Sequence, residues 1–365
     1  MRILILNWRD PNNPKSGGAE AVTIKHAGSW VKSGHSVVWL TSSHSQLNST
    51  DNIDGVKIIR KCGTFTIYLF APFYVLANHK QIDLIIDQVH GIPFFTPLYT
   101  RKKIIVFVHE VAGEIWDSMF AFPINLIGKM LEKLYLLIYR NYKFWTVSES
   151  TAQDLIKNGI SKNNITIIKS AIDNVEIKNY KKEKFPTYIY VSRLVKMKGI
   201  EDVIDAFSLI SKKQTKSKLW IVGAGEKKYT KSLLAKVKSL NLEKKVKFWG
   251  YVSDSKKYEL LKRSHILLHA SKKEGWGLVI MEAASCGVPA VVYDSSGLRE
   301  SVIHNKTGIV INKNLPEQLA QDALSLYGNK LLFDKLKINC MKQARMLTWE
   351  KSTAQSIALI NSIYE

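Results

Sequence analysis

The chain has 365 residues, 46% of them hydrophobic, three cysteines and a formal net charge of +22. That length predicts about two domains rather than one core. No apolar run reaches the ~20 residues of a bilayer-spanning helix, and the apolar N-terminal stretch is too short for a signal sequence. Cys62, Cys286 and Cys340 are odd in number and far apart. They predict reduced thiols in a cytoplasmic protein and no cysteine-based metal site. The positive charge, mostly lysine, suits anionic lipid head groups or a polyanionic acceptor. A nucleic-acid partner is not expected, because no helix-turn-helix, zinc-finger or RNA-binding signature appears. Residues 1–172 carry 19 basic and 12 acidic side chains against 53 and 31 in the whole chain, so the charge is not confined to the first half.

Residues 3–6 read as a buried strand. A loop rich in Asn and Pro follows, then Ser16-Gly17-Gly18-Ala19-Glu20 and a helix over 19–32 that stops at Ser33-Gly34. Strand, glycine loop and helix open a doubly wound α/β unit. Residues 36–41 and 56–60 are further strands, with 42–52 a polar loop between them. Residues 65–78 read as a helix that Pro72 should break or kink. Strands follow at 82–87 and 103–109. The second ends in His109-Glu110, at the strand edge where parallel α/β folds place their sites. His90 follows the preceding strand. Residues 122–142 are apolar with lysines and tyrosines interleaved. They read either as a helix packed on the sheet or as an interfacial helix resting on a membrane. A strand at 144–147 leads to Ser148, which caps a helix with Glu149 and Asp154 near its positive end. A strand over 165–168 ends this half.

The polar, lysine-rich stretch 174–184 reads as the interdomain linker. A strand at 187–192 runs into Arg193 and Lys198, then Gly199 and a helix over 200–211. A planar Arg fork and a Lys point charge on one loop suit a diphosphate. Residues 218–222 are a strand entering Gly223-Ala224-Gly225-Glu226. Another short strand, 246–249, precedes Gly250-Tyr251 and a helix over 254–263. A buried strand over 265–270 leads to Glu274-Gly275-Trp276-Gly277-Leu278-Val279-Ile280-Met281-Glu282. Here Gly277 begins a helix that places Glu282 about two turns in, and Gly287 and Pro289 end it. Free N–H groups around Gly277, Leu278 and Val279 would suit a phosphate or sugar hydroxyls. A strand over 290–293, the segments 297–303 and 306–310, and helices over 315–327, 330–345 and 349–364 complete the chain.

Two glutamates with seven residues between them, the embedded Gly-Trp-Gly-Leu and the following Ala-Ser-Cys-Gly-Val-Pro resemble family 4 of the retaining glycosyltransferases. The resemblance covers essentially the whole chain and is more specific in the second half. It implies a GT-B fold: two Rossmann-like domains, 1–173 and 174–345, facing a central cleft, with 346–365 a helix crossing back to the first. It implies a nucleoside diphosphate sugar as donor and an acceptor hydroxyl held by the first domain; no metal-ligand cluster or DxD signature appears in the sequence, so metal-independent chemistry with no cofactor is expected. Arg193 and Lys198 inherit the pyrophosphate, Glu274 the sugar hydroxyls and Glu282 the ribose. His109 inherits the sugar or its leaving phosphate. Gly223 and the backbone near Tyr251 would lie beside the base, and Gly17 and Gly18 under donor and acceptor. His90 and Glu110 would line the acceptor side. The acceptor is open and includes lipid-linked ones, since family members acting on lipids dock through the N-terminal domain. A sugar-nucleotide epimerase on the same fold, or a non-catalytic scaffold binding membranes or polyanions, are the alternative readings.

Overall fold

The computed structural model describes residues 1–113, 115–173 and 180–364. The chain divides into two units, Met1–Ala171 with Trp349–Glu365, and Ile172–Thr348. The first six residues of the expected linker, 174–179, lie outside the described residues.

The first unit has strands β1 (Arg2–Leu6), β2 (Ser36–Ser42), β3 (Thr50–Ile53), β4 (Val56–Lys61), β5 (Leu84–Val89), β6 (Lys103–Val108), β7 (Lys143–Thr146) and β8 (Ile165–Ile167). Its helices include α1 (Gly18–Lys32), α2 (Ile67–Ala77), α3 (Ile115–Met119), α4 (Ile124–Tyr139) and α5 (Glu149–Lys157). The sheet order is β3-β4-β2-β1-β5-β6-β7-β8, parallel except for β3. Continuous apolar runs such as Leu84-Ile85-Ile86 are buried on both faces, as a helix-covered parallel sheet requires.

The second unit has β9 (Thr187–Val191), β10 (Lys218–Val222), β11 (Val246–Gly250), β12 (Ile266–His269), β13 (Ala290–Val292) and β14 (Gly308–Val310). Its helices are α6 (Ile200–Lys213), α7 (Lys227–Ser239), α8 (Asp254–Arg263), α9 (Leu278–Ser285), α10 (Leu298–Ser301), α11 (Pro316–Gly328) and α12 (Lys330–Arg345). Its all-parallel sheet runs β11-β10-β9-β12-β13-β14. Ile200, Val203, Ile204, Phe207 and Ile210 form the stripe that seats α6 in the core. A last helix, α13 (Trp349–Asn361), belongs to the first unit. Its Ser356 hydroxyl lies 2.9 Å from both His26 Nδ1 and Trp30 Nε1 of α1.

In both sheets the strand order reverses beside the first strand, at β1/β5 and at β9/β12. Such switch points open a crevice at the strands' C-terminal ends.

Four details depart from what the sequence predicts. The polar stretch 42–52 is not all loop, because its end pairs antiparallel with β4 as the edge strand β3. Pro72 does not stop α2, whose buried Ile67, Ala71 and Val75 hold the helix through the one lost hydrogen bond. Helix α7, between Glu226 and β11, has no counterpart among the elements expected from sequence. Glu282 lies a little over one turn into α9 rather than two, since the helix starts at Leu278.

Candidate functional site

The second unit's switch point is built from three turns knitted by backbone. After β9, the segment carrying Arg193 is tied to the turn after β10: Leu194 N–H donates to Ala224 O at 2.8 Å. Gly223 has φ +134°, and a Cβ there would lie 1.8 Å from Ser192 O, so only glycine allows this approach. Lys198 closes a short 3₁₀ turn before Gly199. That turn is held against the segment after β12 by Lys272 N–H donating to Met197 O at 3.0 Å. Glu274 is fixed by its N–H bond to Ser296 O at 3.2 Å. Gly297 packs so closely on it that a Cβ would meet Glu274 O at 2.2 Å.

Lys198 and Glu274 therefore meet. Lys198 Nζ lies 2.7 Å from Glu274 Oε1, with side chains 10% and 15% exposed. His269, fully buried at the end of β12, places Nε2 3.0 Å from the same oxygen. Burial acts to raise the Glu274 carboxyl, yet the Lys198 ammonium and His269 hold it well below the usual carboxylate range. Glu274 is thus an ordered carboxylate with acceptor capacity left, and Lys198 keeps two donors.

Arg193 is exposed on the same loop, and its guanidinium has no carboxylate partner among the described residues. Gly277 sits at the N-cap of α9 with φ +79°. The N–H groups of Gly277, Leu278 and Val279 take no partner among the described residues. They form a donor cluster with the helix's positive end behind it.

Glu282 is not free. Lys257 Nζ of α8 lies 2.8 Å from it and also bonds Asp254. Burial pushes the Glu282 carboxyl up, and Lys257 pulls it back in part. Tyr251 stands 87% exposed after Gly250.

Helix α9 ends as its glycine predicts. Val288 N–H bonds Ala283 O and Gly287 N–H bonds Ala284 O, both at 3.0 Å, with Gly287 at φ +65°.

In the first unit, His109 directly follows β6, and His90 directly follows β5. Behind them lies a network that the sequence does not announce. Glu20, wholly buried, accepts from Arg9 Nε at 2.8 Å and from Gly17 N–H at 2.7 Å. Arg9 also bonds His90 Nε2. Gly17 adopts φ −150°, so the glycine pair does not serve a left-handed turn at that residue. Its N–H caps α1 through Glu20 instead. Gln88 Nε2 lies 2.9 Å from His109 Nε2. Burial pushes the His109 imidazole down to about 3, so it is neutral at pH 7. Glu110 is half-buried beside it.

The structure thus gathers Arg193, Lys198, Gly223, Glu274 and Gly277 at one switch point, and Gly17, His90 and His109 at the other. Gln88 and His269 had no sequence signal beyond position at a strand end, and Arg9 in the loop after β1 and Glu20 in the first turn of α1 had none that marked them as partners. Among the described residues no group of three or more His, Cys, Asp or Glu side chains is placed to hold a metal ion.

Residues 172–345 match the family described as Glycosyl transferases group 1, and residues 16–175 match Glycosyltransferase Family 4. The chain belongs to the family 4 glycosyltransferases. Sucrose-phosphate synthase from Thermosynechococcus elongatus superposes on this glycosyltransferase with a TM-score of 0.83 and 16% identity, over 100% of this chain and 99% of that one. HepE of Anabaena, solved with UDP and glucose, gives 0.79 and 18% over 99% and 100%. These likenesses establish the GT-B fold. N-acetyl-α-D-glucosaminyl L-malate synthase of Bacillus anthracis is 32% identical over 46% of this chain, a segment spanning 42% of that relative's length.

Proposed function

We propose that this glycosyltransferase moves a hexose or N-acetylhexosamine, with retention and without a metal, from a nucleoside diphosphate sugar to an acceptor hydroxyl. The observation that carries the reading is Arg193, without a carboxylate partner among the described residues, on the same loop as the buried Lys198–Glu274 pair and beside the N–H groups that open α9, likewise without partners among those residues. Arg193, the two remaining Lys198 donors and the α9 dipole offset negative charge growing on the departing diphosphate. Preorganised charges and dipoles of this kind contribute more to rate than any other device such sites use. Glu274 accepts from sugar hydroxyls. Glu282, with lone pairs left over after Lys257, accepts from the ribose. His109 meets the sugar or the leaving phosphate. Gly18, Gly223 and the backbone near Tyr251 border the donor, and Gly17, His90 and Glu110 the acceptor. HepE was solved with UDP-glucose, and the Bacillus anthracis relative is named for an N-acetylglucosaminyl product. The first supports a UDP-linked donor and the second an N-acetylhexosaminyl group.

The acceptor side is read as a lipid-linked or cell-surface glycan precursor, met by the cytoplasmic enzyme at a membrane surface. Large aliphatic side chains point outward from α4, with Leu131, Leu134 and Leu137 each more than half exposed beside Lys133. Apolar Phe65, Leu69 and Phe73 are likewise exposed on and beside α2. Monomeric surfaces seldom leave apolar stripes of this size bare, and basic flanks suit anionic lipid. Among the described residues no helix is long and apolar enough to cross a membrane.

The test is a thermal-shift screen of the chain against UDP-, GDP-, dTDP- and ADP-sugars, with Arg193→Ala as control. One donor family should raise the melting midpoint by mass action. The variant should melt normally alone and lose at least ten-fold in donor affinity, the ~1.5–3 kcal/mol of a charged hydrogen bond. No shift with any donor would sink the reading. The anomeric proton of the transferred sugar then reports retention, and turnover in excess EDTA reports metal independence.

A further inference from the structure

The ring nitrogen that His109 offers to a ligand is decided by the side chains behind it. The Thr23 hydroxyl donates to Ala19 O, one turn earlier in α1, at 2.8 Å. That uses its only proton, so it faces its other neighbour as an acceptor. The neighbour is the Gln88 amide, whose Nε2 lies 2.9 Å away. The other end of that amide agrees: Gln88 Oε1 accepts from Asn7 Nδ2 at 3.0 Å. Asn7 is itself oriented, because its Oδ1 accepts from Arg9 N–H at 3.3 Å and its Nδ2 reaches Glu20 Oε1 at 3.4 Å. Gln88 therefore turns its NH₂ toward His109 Nε2, 2.9 Å away. A donor cannot face a donor, so Nε2 is the acceptor and the ring proton resides on Nδ1. The hydrogen-bond network as a whole fixes this tautomer. Nδ1 takes no partner among the described residues and is not sealed from solvent.

We propose that Gln88 is a positioning residue that locks His109 in the Nδ1–H tautomer, so that the imidazole meets its ligand as a neutral hydrogen-bond donor and not as a proton-transfer group. The proposal rests on the glycosyl-transfer reading for the identity of the ligand, but not for the lock itself. Protonation would place a second N–H against the Gln88 NH₂. The groups around the ring do not relieve that clash. Phe107 lies against it at 4.1 Å between centroids, and the His90 ring is 6.3 Å away. Burial, then His90, His26 and Arg9 oppose a positive charge there, and the buried Glu20, already paired with Arg9, favours it less strongly than burial disfavours it. Free neutral histidine prefers the Nε2–H form, so a pure Nδ1–H population is a specific signature of the network.

The experiment is long-range ¹H–¹⁵N correlation on the full chain labelled at histidine, with the His109 signals assigned by their loss in His109→Asn. The wild type should show Nδ1–H alone from pH 5.5 to 8. Gln88→Glu, which offers an acceptor to Nε2, should move the proton to Nε2 and bring the ring's titration into the neutral range. Thr23→Val keeps the packing shape but removes one of the two contacts that orient the amide, the other being Asn7, and should add an Nε2–H population and lower the melting midpoint, because a buried amide N–H loses its acceptor. An Nε2–H or mixed wild type overturns the lock, as does an Nδ1–H signal unchanged in both variants. UDP-glucose should shift the Nδ1–H proton. If UDP-glucose raises the melting midpoint yet leaves that proton unmoved, the donor role is overturned. If no nucleotide sugar raises the midpoint, the transfer reading fails while the tautomer result stands.

Discussion

Two lysine–carboxylate pairs in the second unit have nearly the same length and should differ sharply in worth. Lys198–Glu274 measures 2.7 Å with side chains 10% and 15% exposed, and Lys236–Asp205 measures 2.6 Å with side chains 29% and 38% exposed. Removing one member of a buried pair strands the other and costs about 3–5 kcal/mol. His269 still bonds Glu274 in Lys198→Met, which places the expected loss near the lower end, about 3 kcal/mol. Lys236→Met removes a solvated pair, worth ~0.2–1 kcal/mol. Urea denaturation of the full chain at pH 7 compares them. Lys198→Met with Glu274→Met should recover most of the single variant's loss, because apolar replacements carry no stranded charge. The pH dependence has a definite sign. The folded Glu274 carboxyl titrates below its unfolded value of ~4.3, so its contribution is complete above that pH and is lost as pH falls through the lower folded value. If burial and not contact distance sets the cost, the two lysine variants cannot cost the same and the double variant must recover; either failure overturns that account.

Other expectations rest on particular contacts. Gly223→Ala adds a Cβ 1.8 Å from Ser192 O at φ +134° and should cost more than the ~1–3 kcal/mol of backbone strain alone, whereas Gly34→Ala, at φ +86° with open space around it, should cost only that strain; thermal melts separate them. Ser356→Ala removes the hydroxyl shared by His26 and Trp30 and should lower stability by about 1–3 kcal/mol, with faster hydrogen exchange in α13. Burial depresses His26 and His109 to about 3, so the unfolded chain binds more protons below pH ~6.5. Stability should therefore fall on acidification by up to about 1.4 kcal/mol per pH unit for each group, and His26→Gln should flatten the curve. Leu131→Glu with Leu134→Glu should abolish co-sedimentation with phosphatidylglycerol-containing vesicles while leaving the unfolding free energy within about 0.5 kcal/mol of wild type, since both residues are already exposed.

The elements and their punctuation are legible in the amino-acid order. Apolar runs such as 84–86 specify strands buried on two faces, the spacing of Ile200, Val203, Ile204 and Phe207 specifies an amphipathic helix, and Gly287 before Pro289 specifies where α9 stops. These signals are local, because a turn or a period of 3.6 is written within a few residues. The same locality made Arg193, Lys198, Glu274 and Gly277 legible, since each sits on a strand-to-helix turn with a glycine beside it. Edge strand β3 and helix α7 escaped because their polar, lysine-bearing segments gain order from tertiary partners more than from their own pattern.

Which side chains face one another is settled by the folded chain alone. Asn7 and Gln88 are 81 residues apart and meet because β1 and β5 are neighbours at the switch point. Lys257 reaches Glu282, and His269 reaches Glu274, through packing that no spacing announces. A buried charge must find a partner wherever the fold brings one. The sequence shows where a charge falls, and the strand order selects the partner that keeps it ionised.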